Sequence, residues 1–346
     1  MIPLNVPFSA LKGRALFSLI FFTSPGLVAA ENSATQTKKT TDETMTVVAD
    51  GSRQSATNGY QPVNTSTATL TTMPMLDIPQ VVNTVSEQVL EDQHATNLDE
   101  ALYNVANVVQ TNTLGGTQDA FSRRGFGANR DGSIMTNGLR TVLPRSFTAA
   151  TERVEVLKGP ASTLYGILDP GGLINVVTKR PERSFGGSVS ATSTSFGGGS
   201  GQFDVTGPID GTPLAYRVIG EYQHEDYWRN FGKQKTSFIN PSLTWFGERA
   251  TVNVSYSHRN YSTPFDRGTI FDLNTGHAVN VDRKTRFDEP FNITDGYSDL
   301  AQLNAEYRLS DAWTARFDYS YSQDHYNDDQ ARVMAYDSAT GNLTRR

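Results

Sequence analysis

The densest group of chemically capable side chains lies in Glu152-Arg153-Val154-Glu155-Val156-Leu157-Lys158-Gly159-Pro160-Ala161-Ser162. Two carboxylates, two cations, a glycine and a serine so close together raise the question of a phosphate loop. That chemistry needs Gly-Lys-Ser/Thr at fixed spacing, so that backbone N–H groups and the lysine converge on the phosphates. Here Lys158 precedes Gly159, and the next glycine, Gly166, falls after Ser162 rather than before a lysine. The loop is excluded. Gly125-Phe126-Gly127 likewise lacks the following helix and strand of a dinucleotide fingerprint. The histidines at 94, 224, 258, 277 and 325 fall on different predicted elements without ligand spacing, and no Ser-His-Asp set assembles. Each reads as a surface or girdle residue. The chain has no cysteine, which removes thiol nucleophiles, Cys-ligated metals and disulfides. No catalytic residue, no metal ligand and no cofactor is expected.

Without a reaction to perform, the 152–162 run needs a positional reading. It describes a strand carrying paired opposite charges, a Gly-Pro turn and a helical turn to Tyr165-Gly166. The Pro170-Gly171-Gly172 bend then leads into a second strand, Leu173-Ile174-Asn175-Val176-Val177-Thr178. Arg123, Arg124, Glu152 and Glu155 read as a structural salt-bridge net in preference to ligand contacts. Around them, residues 60–182 form a small, turn-rich α+β unit. Val81–Val85 alternates as a strand, and Ser86 opens a short helix. Asn97 caps a second helix over an acidic first turn and an apolar stripe, Asn97-Leu98-Asp99-Glu100-Ala101-Leu102. Arg123-Arg124-Gly125-Phe126 and Ile134-Met135-Thr136-Asn137-Gly138 are short strands between glycine turns.

The segments before this unit carry an address. Lys12 and Arg14 precede an apolar stretch from Ala15 to Phe22, and Leu27-Val28-Ala29-Ala30 offers small residues before Glu31. Residues 1–30 therefore read as a secretory signal cleaved after Ala30. Residues 31–59 are too polar to offset the entropy of ordering and are expected to be flexible. One β-prone strip interrupts them, Glu43-Thr44-Met45-Thr46-Val47-Val48-Ala49. Two readings of it stand on the residues alone: a strand that adds itself to a partner's sheet edge, or the first strand of the next domain.

From 183 onward the pattern changes. Val252, Val254, Tyr256 and His258 alternate with Asn253, Ser255, Ser257 and Arg259. Trp313, Ala315, Phe317, Tyr319 and Tyr321 alternate with Thr314, Arg316, Asp318, Ser320 and Ser322. Soluble sandwich strands alternate too, but average about five to six residues; these run near ten, the habit of outer-membrane strands. Strands are expected near 185–196, 201–207, 214–227, 236–245, 250–260, 298–309 and 313–325, with 332–346 beginning at most an eighth. Apart from the short 197–200 link, tight links (208–213, 246–249, 310–312) alternate with longer ones (228–235, 261–297), as turns on one membrane side and loops on the other would. The net charge of −6, from 30 Lys and Arg against 36 Asp and Glu, without basic blocks, argues against a nucleic-acid partner.

The 152–181 run resembles the plug signature of TonB-dependent outer-membrane receptors, particularly siderophore receptors. The signature positions are Arg124, Gly125, Phe126, Asn137, Gly138, Glu152, Arg153, Glu155, Lys158, Gly159, Pro160, Gly166, Gly171, Gly172 and Asn175. Asp77-Ile78-Pro79-Gln80, Glu87-Gln88-Val89-Leu90 and the helix from Leu98 to Val105 support it. The resemblance implies an α+β plug domain (60–182) followed by a partial antiparallel transmembrane β-barrel (183–346), about seven or eight strands of 22. It implies that Glu43, Thr44, Met45, Thr46, Val47 and Val48 are the TonB box, read by a TonB-ExbB-ExbD energy complex. A ferric siderophore, leaning to the hydroxamate or ferrichrome type, would bind from outside between plug apices (114–122 and 143–147) and loops, with Arg123, Arg145 and Phe147 as candidate contacts. Iron would travel as the chelate. Two positions depart from the family pattern: Val105-Ala106-Asn107-Val108 stands where Val-Pro-Gly-Val is common, and Asn137 where Asp is usual.

Length sets a limit on this reading. After position 182 only 164 residues follow, whereas about 22 strands of roughly ten residues need about 220. The expectation is an incomplete, transport-incompetent receptor, as a truncated product or pseudogene would be. The alternatives are a stand-alone periplasmic plug-like binding module, or a receptor for another nutrient such as cobalamin.

Overall fold

The computed structural model describes residues 4–7, 59–60, 62–127 and 132–346, so the expected signal segment beyond Pro7 and the Glu43–Val48 strip lie outside the described residues. The plug is built on a five-stranded sheet. In chain order its strands are β1 (Val81–Val85), β2 (Ile134–Thr136), β3 (Leu139–Arg140), β4 (Thr151–Lys158) and β5 (Gly172–Thr178), arranged β1-β4-β5-β2-β3. β5 and β2 run parallel and the other neighbours antiparallel. Helix α1 (Glu87–Asp92) starts at Ser86, whose hydroxyl accepts from Val89 N–H. Helix α2 (Leu98–Leu102) starts at Asn97, whose side chain accepts from Glu100 N–H. Both caps satisfy amides that the first helical turn leaves without partners. α2 ends at Leu102, three residues before the predicted Val105.

Strand period two divides the plug core. Val154, Val156, Ile174 and Val176 point to one side and meet Leu98, Leu102 and Phe121. Leu157 and Leu173 point to the other and meet Ile78, Val82 and Met135. Glu155 and Asn175, opposite each other in the β4–β5 ladder, share this second face. Gly172, at φ 106°, is required where the chain enters β5, because a Cβ there would stand 1.9 Å from the Leu157 carbonyl oxygen.

The second half is one antiparallel sheet in chain order: β6 (Gly186–Ser193), β7 (Gly198–Pro208), β8 (Leu214–Asp226), β9 (Lys233–Phe246), β10 (Ala250–Pro264), β11 (Ile293–Arg308) and β12 (Thr314–Asp329). The seven predicted strands are all present. β7 and β9 to β12 are 11 to 16 residues long, longer than alternation alone outlined, whereas β6 (8 residues) and β8 (13 residues) are shorter than outlined. Links of five, three and five residues at one end oppose links of four, six and 28 residues at the other. Leu4–Pro7 pairs with the outer edge of β6 in the full chain; cleavage after Ala30 would bare that edge. The expected eighth strand takes another form: Val333–Asp337 and Asn342–Arg345 fold on each other as a hairpin and attach to the 28-residue loop. Asp272 accepts there from Ser338 N–H and Oγ at 3.0 and 2.7 Å. Loop closure onto an existing loop competes with extension of the sheet, and the acidic turn residues favour it.

The wall's polarity is inverted relative to a soluble sheet. Tyr216, Leu243, Val254, Leu303 and Tyr319 form one cross-strand row, and Arg217, Ser242, Ser255, Gln302 and Ser320 form the next, on the opposite face. Val254 is 51% exposed whereas Gln302 is 3% exposed. Apolar side chains outward and polar ones against the plug suit a sheet whose outer solvent is lipid. Among the described residues, no helix is long and apolar enough to cross a membrane. Pro241 sits in the middle of β9 with no N–H to give, and the ladder to β10 is interrupted at 240–241, where Asn240 Nδ2 donates to the Tyr256 carbonyl at 3.1 Å.

Candidate functional site

Three sets of polar contacts organise the plug. The first is buried within it. Glu155, 0% exposed, accepts from Arg153 Nε at 2.6 Å, from Thr65 Oγ1 at 2.5 Å and from the Thr67 hydroxyl. Arg153 also pairs with Glu152 at 3.0 Å, and Asn175 Nδ2 donates to Thr67 Oγ1 at 2.8 Å. Tyr165 donates to the Thr67 carbonyl at 2.7 Å. The Thr65–Thr67 segment, which follows the N-terminal region, is thus clamped to the sheet by one buried carboxylate. Burial pushes the Glu152 carboxyl up, against the pull of Arg153. Burial works against the charge on Arg153, but Glu155 and Glu152 outweigh it and raise its pKa. The expected structural net of charges is present with altered membership: Arg153 is its hub. Arg124 stands outside it on a left-handed turn at φ 52°.

The second set joins plug to wall. Lys179 reaches Glu87 at 2.8 Å and Asp204 on β7 at 3.3 Å, and Arg217 on β8 binds Asp204 at 2.7 Å and Glu182 at 3.2 Å. Asn137 donates to Gln302 Oε1 at 2.7 Å and to Thr178 Oγ1 at 2.8 Å, and Gln302 returns a bond to the Thr136 carbonyl at 3.1 Å. A carboxylate at 137 has no proton for Gln302 Oε1, so this departure from the family pattern has a physical reason. The other departure has one as well. Asn107 sits at φ 63°, a conformation that asparagine tolerates better than most residues, and its carbonyl accepts from Arg124 N–H.

The third set lies at the end of the wall that carries the long loop. Asp119 receives Arg145 Nη1 at 3.1 Å and Ser146 N–H at 2.6 Å, and Arg145 also reaches Asp99 at 3.4 Å and the Gly116 carbonyl at 2.5 Å. The two predicted apices, 114–122 and 143–147, are therefore one unit. Burial opposes the charge of Arg145, but Asp119 and Asp99 outweigh it and raise its pKa; burial pushes the Asp99 carboxyl up. Above them is a cavity of about 140 Å³, walled by plug residues including Thr117, Arg145 and Phe147 and by wall residues including Gln223, Arg259 and Tyr261. Ligand pockets for drug-sized molecules run to about 300–1,000 Å³, so this space is smaller than such a pocket.

The three predicted ligand contacts separate. Arg123 is 1% exposed and its Nη1 donates to the Phe121 carbonyl at 3.3 Å, so it cannot touch a ligand arriving from outside. Its neighbour Arg124 turns outward instead, because the left-handed turn reverses the chain there. Arg145 borders the cavity but its guanidinium is engaged by two carboxylates and a carbonyl. Phe147 borders the cavity while packing partly against the plug core. Arg259 was not among the predicted contacts. Its signal in the sequence is a cation on the polar face of an alternating strand, which resembles any lumen-facing charge. Among the described residues, no group of three His, Asp or Glu is arranged to hold a metal.

The TonB-dependent receptor plug domain matches residues 74–173. The metal-pseudopaline receptor CntO of Pseudomonas aeruginosa is 31% identical over 289 residues, covering 82% of this chain and 40% of the relative. The ferrioxamine B receptor of Salmonella typhimurium is 27% identical over 273 residues, 74% of this chain and 38% of the relative. The crystal structure of the ferric-catecholate import receptor Fiu of Escherichia coli, in its closed form, superposes with a TM-score of 0.67 at 29% identity, covering 77% of this chain and 40% of that one. The chain spans about 40% of the length of the first relatives it matches.

Proposed function

We infer the function from kinship and geometry together: the chain belongs to the TonB-dependent outer-membrane receptors, and we propose that its plug and wall serve the uptake of a ferric siderophore. The observation that carries this reading is a plug of the matching family seated on the polar face of a sheet whose other face is apolar. A chelate arriving at the loop end meets the Asp119–Arg145 apex. Energy arrives through the chain on the N-terminal side of the plug, where a TonB-ExbB-ExbD complex adds its own strand to Glu43–Val48 by main-chain hydrogen bonds. Pulling there loads the Thr65–Thr67 clamp on Glu155. Iron is cargo in this scheme, held by the chelate and not by the protein.

On chelate class, hydroxamate uptake has the ferrioxamine B receptor behind it, while CntO and Fiu stand at higher identity. A stand-alone periplasmic module is disfavoured by the outward apolar row, which has no use in water. The described wall is also open along β12, and an open strand edge is a site for pairing and aggregation.

The test is Val47→Pro in a receptor carrying these residues. Proline removes a main-chain donor from the paired strip, so uptake of iron-55 siderophore by iron-starved cells is expected to fall at least about tenfold, with surface binding of the chelate retained. Unchanged uptake would remove the TonB-dependent reading.

A further inference from the structure

Within the uptake reading, on which this step rests, we propose that Arg259 is the charge that receives an anionic arm of the chelate, and that Arg145 only positions the apex. The cavity wall carries three cations. Arg145 is saturated by Asp119, Asp99 and the Gly116 carbonyl. Lys235 is exposed. Arg259 differs from both. It lies on the inward face of β10, in register with Phe238 and Ser298, and borders the cavity. It makes no hydrogen bond or ion pair with a described residue. Its guanidinium carbon stands 5.8 Å from the Tyr261 ring centroid. Glu221 lies in the same inward cross-strand row, with Phe238 between it and Arg259.

A guanidinium that borders a recess and has no partner among the described residues keeps its donors for whatever enters. The fork of an arginine suits a planar anionic oxygen pair, such as the two oxygens of a catecholate or a carboxylate. Tyr261 fixes the plane: its hydroxyl is tied to Asp324 at 3.0 Å, so the ring supports one side of Arg259 and leaves the other to the ligand. The carboxylate of Asp119 is bonded to Arg145 Nη1 and Ser146 N–H.

The experiment is equilibrium binding to the intact receptor of two probes, a trianionic ferric tris-catecholate and a neutral ferric trihydroxamate, with Arg259→Ala, Arg259→Gln and Arg259→Lys. The neutral variants are expected to weaken the trianionic probe at least about tenfold and the neutral probe less than about twofold. The lysine variant should recover part of the loss, and the salt dependence of trianion binding should flatten in the neutral variants. Equal weakening of both probes would assign Arg259 a structural role, and no weakening of either would leave it without one; both overturn the proposal. Binding of neither probe by the unsubstituted receptor would sink the uptake reading, and Arg259 with it.

Discussion

Plug and wall use the same strand period for opposite purposes. In the plug, Val154, Val156, Leu173 and Ile174 are wholly buried, and the charges that accompany them are bound by name to partners. In the wall, Tyr216, Leu243, Val254, Leu303 and Tyr319 stand outward, and Asn253, Gln302 and Asn304 are buried. An internal hydrophobic core drives the first; the second has its apolar surroundings outside, and its inner face is fitted to the polar skin of the plug. Alternation is therefore a statement about two faces, and which face is solvent-like depends on what covers each. The difference also explains where ionic contacts concentrate. They include Glu155 inside the plug, Lys179–Asp204–Arg217 on the seam and Arg145–Asp119 at the apex, places where polar groups are buried.

Four substitutions test this contrast, in descending order of expected effect. Glu155→Ala leaves Arg153 without its closest carboxylate and frees the Thr65 and Thr67 hydroxyls, so the plug is expected to lose about 3–5 kcal/mol. Urea unfolding of the plug followed by protease sensitivity near Thr65 reads this, and a loss below about 1 kcal/mol would show the clamp to be peripheral. Val254→Arg on the outward row is expected to cost about 2–4 kcal/mol in the membrane. The comparison breaks if detergent-resistant assembly is unaffected, since the outward face would then not meet lipid. Asn240→Ala removes the donor to the Tyr256 carbonyl beside Pro241, at a cost of about 1 kcal/mol. Faster amide exchange confined to β9 and β10 is the expected mark.

The smallest effect concerns pH. Burial, helped by nearby Glu155 and opposed by Arg316, pushes the Tyr165 hydroxyl up from 10.0 to about 12. A raised folded-state value means that stability from this group is intact below pH 10 and is lost as pH rises toward 12. The ultraviolet phenolate titration of the parent minus Tyr165→Phe should therefore show a step near 12. A step near 10 would place Tyr165 in solvent and undo its bond to the Thr67 carbonyl.

Much of this was legible in the residues. Ser86 and Asn97 announced two helix starts because their side chains can only cap there to advantage. Val252–Arg259 announced a two-faced strand because period two admits no other regular assignment. The predicted wall strands were right in number, and five of the seven run longer than outlined, since Thr, Ser and Asp at strand ends carry no alternation although the ladder continues through them. The site was less legible. Arg123 and Arg124 are adjacent and chemically identical, yet one is buried and the other exposed, because the turn at φ 52° is set by the contact of Arg124 N–H with the Asn107 carbonyl. Arg145 looked available for a ligand because neither Asp99 nor Asp119 is near it in the chain.

By itself, then, the sequence determined an α+β unit followed by alternating strands, and the absence of cysteine chemistry. These follow from local pattern, where each residue's type acts on its immediate neighbours. Only the tertiary structure decided that Glu155 clamps Thr65 and Thr67, that Asn137 meets Gln302, and that Arg145 is saturated while Arg259 is left facing the cavity. Those outcomes depend on which charge finds a partner across the fold. A charge's partner is fixed by distance in space, and composition and spacing carry no record of it.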